Sequence, residues 1–162
     1  TYRLLGSICL VSKHDAAGEM YGAVELYQGA QVRDEEKAPN SLALADTYSN
    51  IGAAMYTKGD LNGALEWYER ARVIQEEKAP NSLEVAITYY NLGAAMDDQG
   101  DFDGALEWYQ RARVIQEEKF PNSWDVAKTY HNIGNAMKAK GDMDGAEEWY
   151  QRARVIGLSR NG

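Results

Sequence analysis

Apolar residues in the middle of the chain recur at spacings of three and four, the pattern of an amphipathic helix. One such series lies between residues 82 and 100 and consists of Ala86, Tyr89, Leu92, Gly93 and Met96. A second series follows it and consists of Phe102, Ala105, Leu106, Tyr109, Ala112 and Ile115. The pattern therefore predicts two successive helices, here called helix A and helix B, that pack through their apolar stripes.

This two-helix pattern repeats along the chain. Residues 60–100 match residues 101–141 at 28 of 41 positions without a gap, and the motif returns from Asp142 to Ile156. A fixed period of this length is typical of a stack of helical or β units, each contacting only its neighbours. We expect one domain over residues 1–162, with units at about 1–40, 41–81, 82–122 and 123–162.

The first unit is degenerate. Its second half aligns with the later helix B segments, so that Ala23, Tyr27 and Ala30 correspond to residues 64, 68 and 71. Its first half is weaker, with Val11 where later units have glycine. Such divergence is expected of a terminal unit, whose outer face has no neighbour.

Proline and its neighbours mark where each helix A begins. The three prolines, at positions 39, 80 and 121, all lie in the same loop of the repeat, and proline is poorly tolerated inside helices. The Asn and Ser that follow can cap a helix, and Asn81 with Glu84 and Asn122 with Asp125 have capping-box spacing. Helix A is therefore predicted to start near residues 42, 83 and 124.

Glycine followed by aspartate marks the turn between the two helices of a unit. Helix A is predicted to end at Gly59, Gly100 or Gly141, because glycine accepts the left-handed conformation that closes a helix. The following aspartate can cap helix B, which starts near residues 61, 102 and 143. The predicted fold is all-α, with four helical hairpins and about eight antiparallel helices.

Several residues inside the helices have predicted packing roles. Gly93 in mid-helix should cost about 1 kcal/mol relative to alanine, so close approach of helix B is the expected reason for it. The tryptophans at 67, 108 and 149 recur with the repeat, which favours packing in helix B. Trp124 lies outside that register at the start of a helix A and could be a contact residue, but core packing under the loop is the favoured role. Leu65 and Leu106 should face the following unit. The last unit has Glu147 at the same position of the repeat.

Composition argues against several classes of function. A net charge of -8 disfavours nucleic-acid binding, and the only cysteine, Cys9, allows neither an intrachain disulfide nor a cysteine-rich zinc site. No apolar stretch is long enough to span a membrane. His14 and His131 are isolated from each other, and the sequence indicates no cofactor, metal or catalytic cluster. A start at Thr1 suggests a fragment, so a cytoplasmic location is only the default and an organellar one stays open.

The residues of the third unit resemble the tetratricopeptide repeat. Tyr89-x-x-Leu92-Gly93-x-x-Met96, followed by Ala105-x-x-x-Tyr109 and Ala112, matches its pattern, with Tyr89 in place of the usual tryptophan and Met96 in place of the usual tyrosine. The period of 41 residues exceeds the common one of about 34 and is similar to that of kinesin light chains and nephrocystin-type proteins. The resemblance implies a right-handed α-solenoid.

The resemblance also implies a concave groove, lined by helix A, that binds an extended peptide. By position in the repeat, its candidate contact residues are Asn50, Asn91, Asn132, Tyr90, His131, Asn135, Lys128, Lys138, Asp97 and Asp98. Asp46, Ser49 and Ile87 fall on the same face. The three asparagines could bind a peptide backbone, because an amide both donates and accepts, or they could bond the neighbouring helix.

Two functions remain open at this point. One is a non-catalytic adaptor that holds a peptide or protein partner in the groove, with an acidic segment of the partner against Lys128 and Lys138. The other is a structural subunit, docked permanently in a larger assembly through its ends or its convex helix B surface.

Overall fold

The computed structural model describes residues 16–159, which form seven α-helices. These are α1 (Ala16–Lys37), α2 (Leu42–Thr57), α3 (Leu61–Lys78), α4 (Leu83–Asp98), α5 (Phe102–Lys119), α6 (Trp124–Ala139) and α7 (Met143–Ser159). The predicted starts of helix A and helix B are confirmed at all six positions. The predicted helix A of the first unit and Val11 lie outside the described residues.

Serine, rather than asparagine, caps each helix A. The hydroxyls of Ser41, Ser82 and Ser123 accept hydrogen bonds of 3.1–3.2 Å from the backbone N–H three residues later. The expectation that asparagine takes part in this cap is wrong, because Asn81 lies one residue too early and its amide donates to Glu118 on α5 at 3.2 Å. The short serine hydroxyl, next to the helix on an extended residue, reaches the free N–H directly.

The predicted glycine–aspartate turn is confirmed in all three hairpins. Gly59, Gly100 and Gly141 have φ values of 83°, 83° and 91°, a region that glycine enters without steric cost. The aspartate that follows each glycine accepts a hydrogen bond of 2.9–3.0 Å from the backbone N–H three residues later. A two-residue sequence therefore both ends one helix and starts the next.

The helices pack in chain order. Within the described residues, α2 packs on α3, α4 on α5 and α6 on α7, and each hairpin contacts the next through α3 and α4 or α5 and α6. α1 packs against α2 and corresponds to helix B of the first unit. The all-α solenoid is thereby confirmed, and α2, α4 and α6 lie side by side along it.

Glycine in mid-helix marks the closest approach within each hairpin, as predicted. A Cβ atom on Gly93 would lie 2.7 Å from Cδ1 of Tyr109 and 3.2 Å from the carbonyl oxygen of Ala105. Gly52 faces Tyr68 and Gly134 faces Tyr150 in the same manner. Glycine therefore allows a tyrosine ring of helix B to lie where a Cβ atom on helix A would overlap it.

The repeated tryptophans pack against tyrosines of helix A, which confirms their predicted role. The ring centroids of Trp67, Trp108 and Trp149 lie 5.2–5.4 Å from those of tyrosines 48, 89 and 130. The core-packing expectation for Trp124 is wrong, since its side chain is 66% exposed. It occupies the first position of α6, and Val126 and Ala127 already fill the core below it.

Contacts between units involve both apolar and polar side chains. Leu65 packs near Leu92, and Leu106 packs near Ile133, so each leucine faces the following unit as predicted. Glu147 replaces them in the last unit and is exposed. In addition, a tyrosine of each helix A donates to a glutamate of the preceding helix B, in the pairs Tyr48–Glu35, Tyr89–Glu76 and Tyr130–Glu117.

Candidate functional site

The candidate site is the surface that α2, α4 and α6 form together. These helices carry residues of the same repeat position side by side, so each unit contributes a side chain to one continuous surface. The repeat determines this arrangement, because the apolar stripe of each helix A is buried against its own helix B. What differs between the units is the chemistry of the side chains on the remaining face.

Three of the predicted contact residues meet at Tyr90 on α4. The Nδ2 of Asn132 on α6 donates to the Tyr90 hydroxyl at 2.7 Å, and the Nζ of Lys128 lies 4.6 Å from the centre of the Tyr90 ring. Tyr109 lies behind this ring, with the two centroids 5.6 Å apart. Tyr90 is thus held from both sides, with a cation over its face.

The two predicted aspartates lie at the end of α4 and differ in environment. Asp98 is exposed and accepts a hydrogen bond from the hydroxyl of Tyr56 on α2. Burial, together with the negative charge of Asp98, raises the pKa of Asp97 above its usual value, and interaction with Tyr109 only partly offsets this. An ionised Asp97 is therefore a partly desolvated negative charge on the surface of the groove.

The last unit presents a different set of side chains. The His131 ring lies 5.2 Å from that of Tyr150, whose hydroxyl donates to Oδ1 of Asn135 at 2.7 Å. Lys138 is exposed in the last turn of α6. The charge of the surface therefore changes sign between Asp97 and Asp98 on α4 and the lysines on α6.

The three asparagines occupy the same position of the repeat, but their surroundings differ. Asn132 bonds Tyr90 of the preceding unit, as the structural interpretation of these residues requires. Asn91 has Ser49 in place of that tyrosine, and the hydroxyl of Ser49 lies 3.5 Å from the hydroxyl of Thr88 instead. Asn50 is exposed and lines a cleft between α2 and α4.

That cleft has a volume of about 270 Å³. Its lining consists of Asp46, Ser49, Asn50, Gln75, Glu84, Ile87 and Thr88. Asp46, Ser49, Asn50 and Ile87 are predicted groove positions, so the structure brings these together. Of the others, Gln75 comes from α3, and Glu84 and Thr88 come from α4.

Gln75 on α3 is one of three residues of this cleft that the sequence interpretation did not place in the groove. Its side chain is buried, and its Oε1 has no hydrogen-bond partner among the described residues. The corresponding Gln116 accepts a 2.8 Å hydrogen bond from Thr129. A glutamine that recurs within the apolar stripe of helix B, in the shared sequence RVIQEE, was the available signal.

Other kinds of site are not found in the described part of the chain. Residues 16–159 contain no group of three or more His, Cys, Asp or Glu side chains placed to hold a metal ion. The same residues include no helix that is both long and apolar enough to cross a membrane.

Comparison with known proteins identifies the repeat. A family model described as tetratricopeptide repeat matches residues 44–118, and a second model with the same description matches residues 126–156. No curated protein sequence matches the chain. The crystal structure of BtubC (BKLC) from P. vanneervenii is similar, with a TM-score of 0.87 and 27% sequence identity. The match covers 99% of this chain and 63% of that one, so this chain spans less than two thirds of its relative.

Proposed function

Because the chain belongs to the tetratricopeptide repeat family, whose members are in general protein-interaction scaffolds without catalytic activity, we propose that it is a non-catalytic adaptor. In this proposal an extended segment of a partner protein lies along α2, α4 and α6. Side chains of successive units contact successive parts of the segment. The partner is thus a protein or peptide, and neither nucleic acid nor a cofactor takes part.

The exposure of the Asn50 side chain supports this proposal most directly. Its amide is exposed at the edge of a cleft, where it can donate to a peptide carbonyl and accept from a peptide N–H at the same time. Asn91 occupies the same position one unit later, without the tyrosine that engages Asn132. These two amides lie one repeat apart, so both can hydrogen-bond the backbone of a peptide that passes over α2 and α4.

The charges along the groove give the bound segment a direction. Asp97 and Asp98 lie in the third unit, whereas Lys128 and Lys138 lie in the fourth. A partner with an acidic stretch against the fourth unit would complement these lysines, and like charges placed there would be repelled. The charges of the third and fourth units therefore orient the bound peptide along the groove.

A second candidate function is that of a structural subunit docked through the convex surface. Exposed valines recur there at one position of helix B, namely Val73, Val114 and Val155. Met143 and Leu158, near the two ends of α7, are also exposed. A partner that covers these residues would bury apolar area, which drives most protein association.

The experiment that separates the two functions is affinity purification from extracts of the source cells at moderate and then high salt. The test variant is Asn50→Ala with Asn91→Ala, which leaves the Asn132–Tyr90 bond intact. The control is Asn81→Ala with Asn122→Ala, which removes two amides from the loops instead.

We expect the groove variant to release a partner that the wild type and the control both retain. Thermal denaturation should show that all three proteins remain folded. Recovery of the same salt-resistant complex with all three would contradict the adaptor function and favour the structural subunit.

A further inference from the structure

The cleft between α2 and α4 contains a buried hydrogen-bond acceptor that no described residue satisfies. Gln75 is only 2% exposed, and its Oε1 has no partner among the described residues. Leaving a buried polar atom unpaired costs about 1–3 kcal/mol, so such atoms are rare unless a ligand or water pairs with them. Gln75 also lines the cleft, so its side chain lies between the packed helices and the groove.

The lining of this cleft is acidic. Asp46 and Glu84 contribute carboxylates, whereas no described lining residue is basic. Asn50, Ser49 and Thr88 add neutral oxygen atoms that can accept hydrogen bonds. The chain as a whole has a net charge of -8, which adds attraction for a positively charged group.

The corresponding positions between α4 and α6 have a different character. Ile87 takes the place of Asp46, Lys128 takes the place of Ile87, and the glutamine at position 116 is already satisfied by Thr129. The unsatisfied acceptor and the two carboxylates therefore occur together between α2 and α4 and not at the corresponding positions between α4 and α6. If this combination were only a consequence of the repeat, it would also occur between α4 and α6.

We propose that the cleft binds the guanidinium group of an arginine side chain in the partner segment, an inference that rests on the proposed adaptor function. Guanidinium carries five N–H donors in a planar fork and is more weakly hydrated than an ammonium group. It can donate to the buried Gln75 oxygen while its charge faces Asp46 and Glu84. A cleft of about 270 Å³ suits one side chain, since pockets that bind drug-sized ligands have volumes of about 300–1,000 Å³.

Together with the lysines of the fourth unit, this gives the bound segment a charge pattern. A basic residue lies over the second and third units, and an acidic stretch lies over the fourth. The separation of charge along the groove would then select both the partner and its direction.

The test is an NMR titration of the isotope-labelled protein with acetyl-arginine methylamide as the probe. The matched control probe is acetyl-citrulline methylamide, which has nearly the same shape but a neutral head group. We expect the arginine compound to produce saturable shifts in the Gln75 side-chain amide and in the signals of Ser49 and Asn50. The Gln116 side-chain amide should not move, and the citrulline compound should bind at least about tenfold more weakly.

Two variants make the assignment specific. Gln75→Leu removes the acceptor, and Asp46→Asn with Glu84→Gln removes both charges; each should weaken arginine binding by about tenfold or more. Asp125→Asn with Asp144→Asn makes the same change in net charge away from the cleft and should leave arginine binding unchanged.

Three results would overturn the inference: absence of saturable shifts, equal binding of citrulline, or equal shifts at Gln116. Each of these leaves the adaptor function standing if the Asn50 and Asn91 substitutions still release the partner. Loss of the adaptor function would appear instead as a partner that remains bound to the asparagine variant.

Discussion

The hydroxyl of Tyr89 donates a 2.7 Å hydrogen bond to the carboxylate of Glu76 in the preceding unit. Arg72 contacts the same carboxylate at 2.6 Å. Burial raises the pKa of Glu76, but the hydrogen bonds from Tyr89 and Arg72 outweigh it and hold the pKa below its usual 4.5. The pKa of Tyr89 is raised to about 12, chiefly by burial and in addition by the hydrogen bond to Glu76. The ionised glutamate is thus part of the contact between units.

This contact predicts a loss of stability in acid. The pKa of Glu76 is lower in the folded than in the unfolded state. The ionised carboxylate therefore contributes fully to the free energy of unfolding above the unfolded pKa, and this contribution is lost as pH falls through the folded pKa. Tyr89→Phe should reduce the free energy of unfolding by about 1 kcal/mol at neutral pH, because the glutamate is partly exposed. Urea denaturation of both proteins between about pH 7 and pH 3 should show their difference shrinking. Parallel curves would contradict this.

The close approach at Gly93 predicts an unusual response to alanine. Gly93→Ala should destabilise the protein by about 1–3 kcal/mol, although alanine is the better helix former, because the Cβ would overlap the Tyr109 ring. Gly29→Ala is the matched control, since nothing lies within 4 Å of its Cβ, and it should be neutral or stabilising. Urea denaturation measures both. Equal effects of the two substitutions would exclude the steric explanation.

The two environments of tryptophan predict opposite outcomes of substitution. Trp108→Ala should cost about 2–4 kcal/mol, because its ring packs on Tyr89 and lies 4.8 Å below the guanidinium of Arg111. Trp124→Ala should change stability by less than about 0.5 kcal/mol, because its side chain is exposed. Chemical denaturation followed by circular dichroism compares them. A large loss for Trp124→Ala would place that residue in the core after all.

The sequence predicted most of the fold because the repeat supplies three copies of each signal. Proline, Gly-Asp and the apolar stripes indicated every described helix from α2 to α7, and the family resemblance followed from the same residues. The extent of one domain over residues 1–162 stays a prediction.

The candidate site was harder to predict, since it depends on differences between the copies. Whether Trp124 is buried, or whether Ser82 or Asn81 caps α4, depends on the direction of one side chain. The unsatisfied state of Gln75 depends on which donors surround it in three dimensions. Spacing alone contains neither kind of information.

The lysines of the fourth unit predict that binding is sensitive to their charge. Lys128→Glu with Lys138→Glu should weaken binding of the captured partner by about tenfold or more, and the loss should be smaller at high salt. Lys78→Glu with Lys119→Glu changes the net charge equally at the ends of α3 and α5 and should have little effect. Isothermal titration at two salt concentrations measures both. Unchanged affinity in the first variant would remove the acidic-segment proposal.

Site-specific photo-cross-linking tests the groove as the binding surface most directly. A photoreactive amino acid would replace, in separate proteins, Ala53 on the groove, Val73 on the convex surface or Leu158 near the end of α7, all of which are exposed. After illumination in extracts of the source cells, the adaptor function predicts a cross-linked partner from position 53 and none from the other two. A partner cross-linked only from position 73 or 158 would contradict it and establish the structural-subunit alternative.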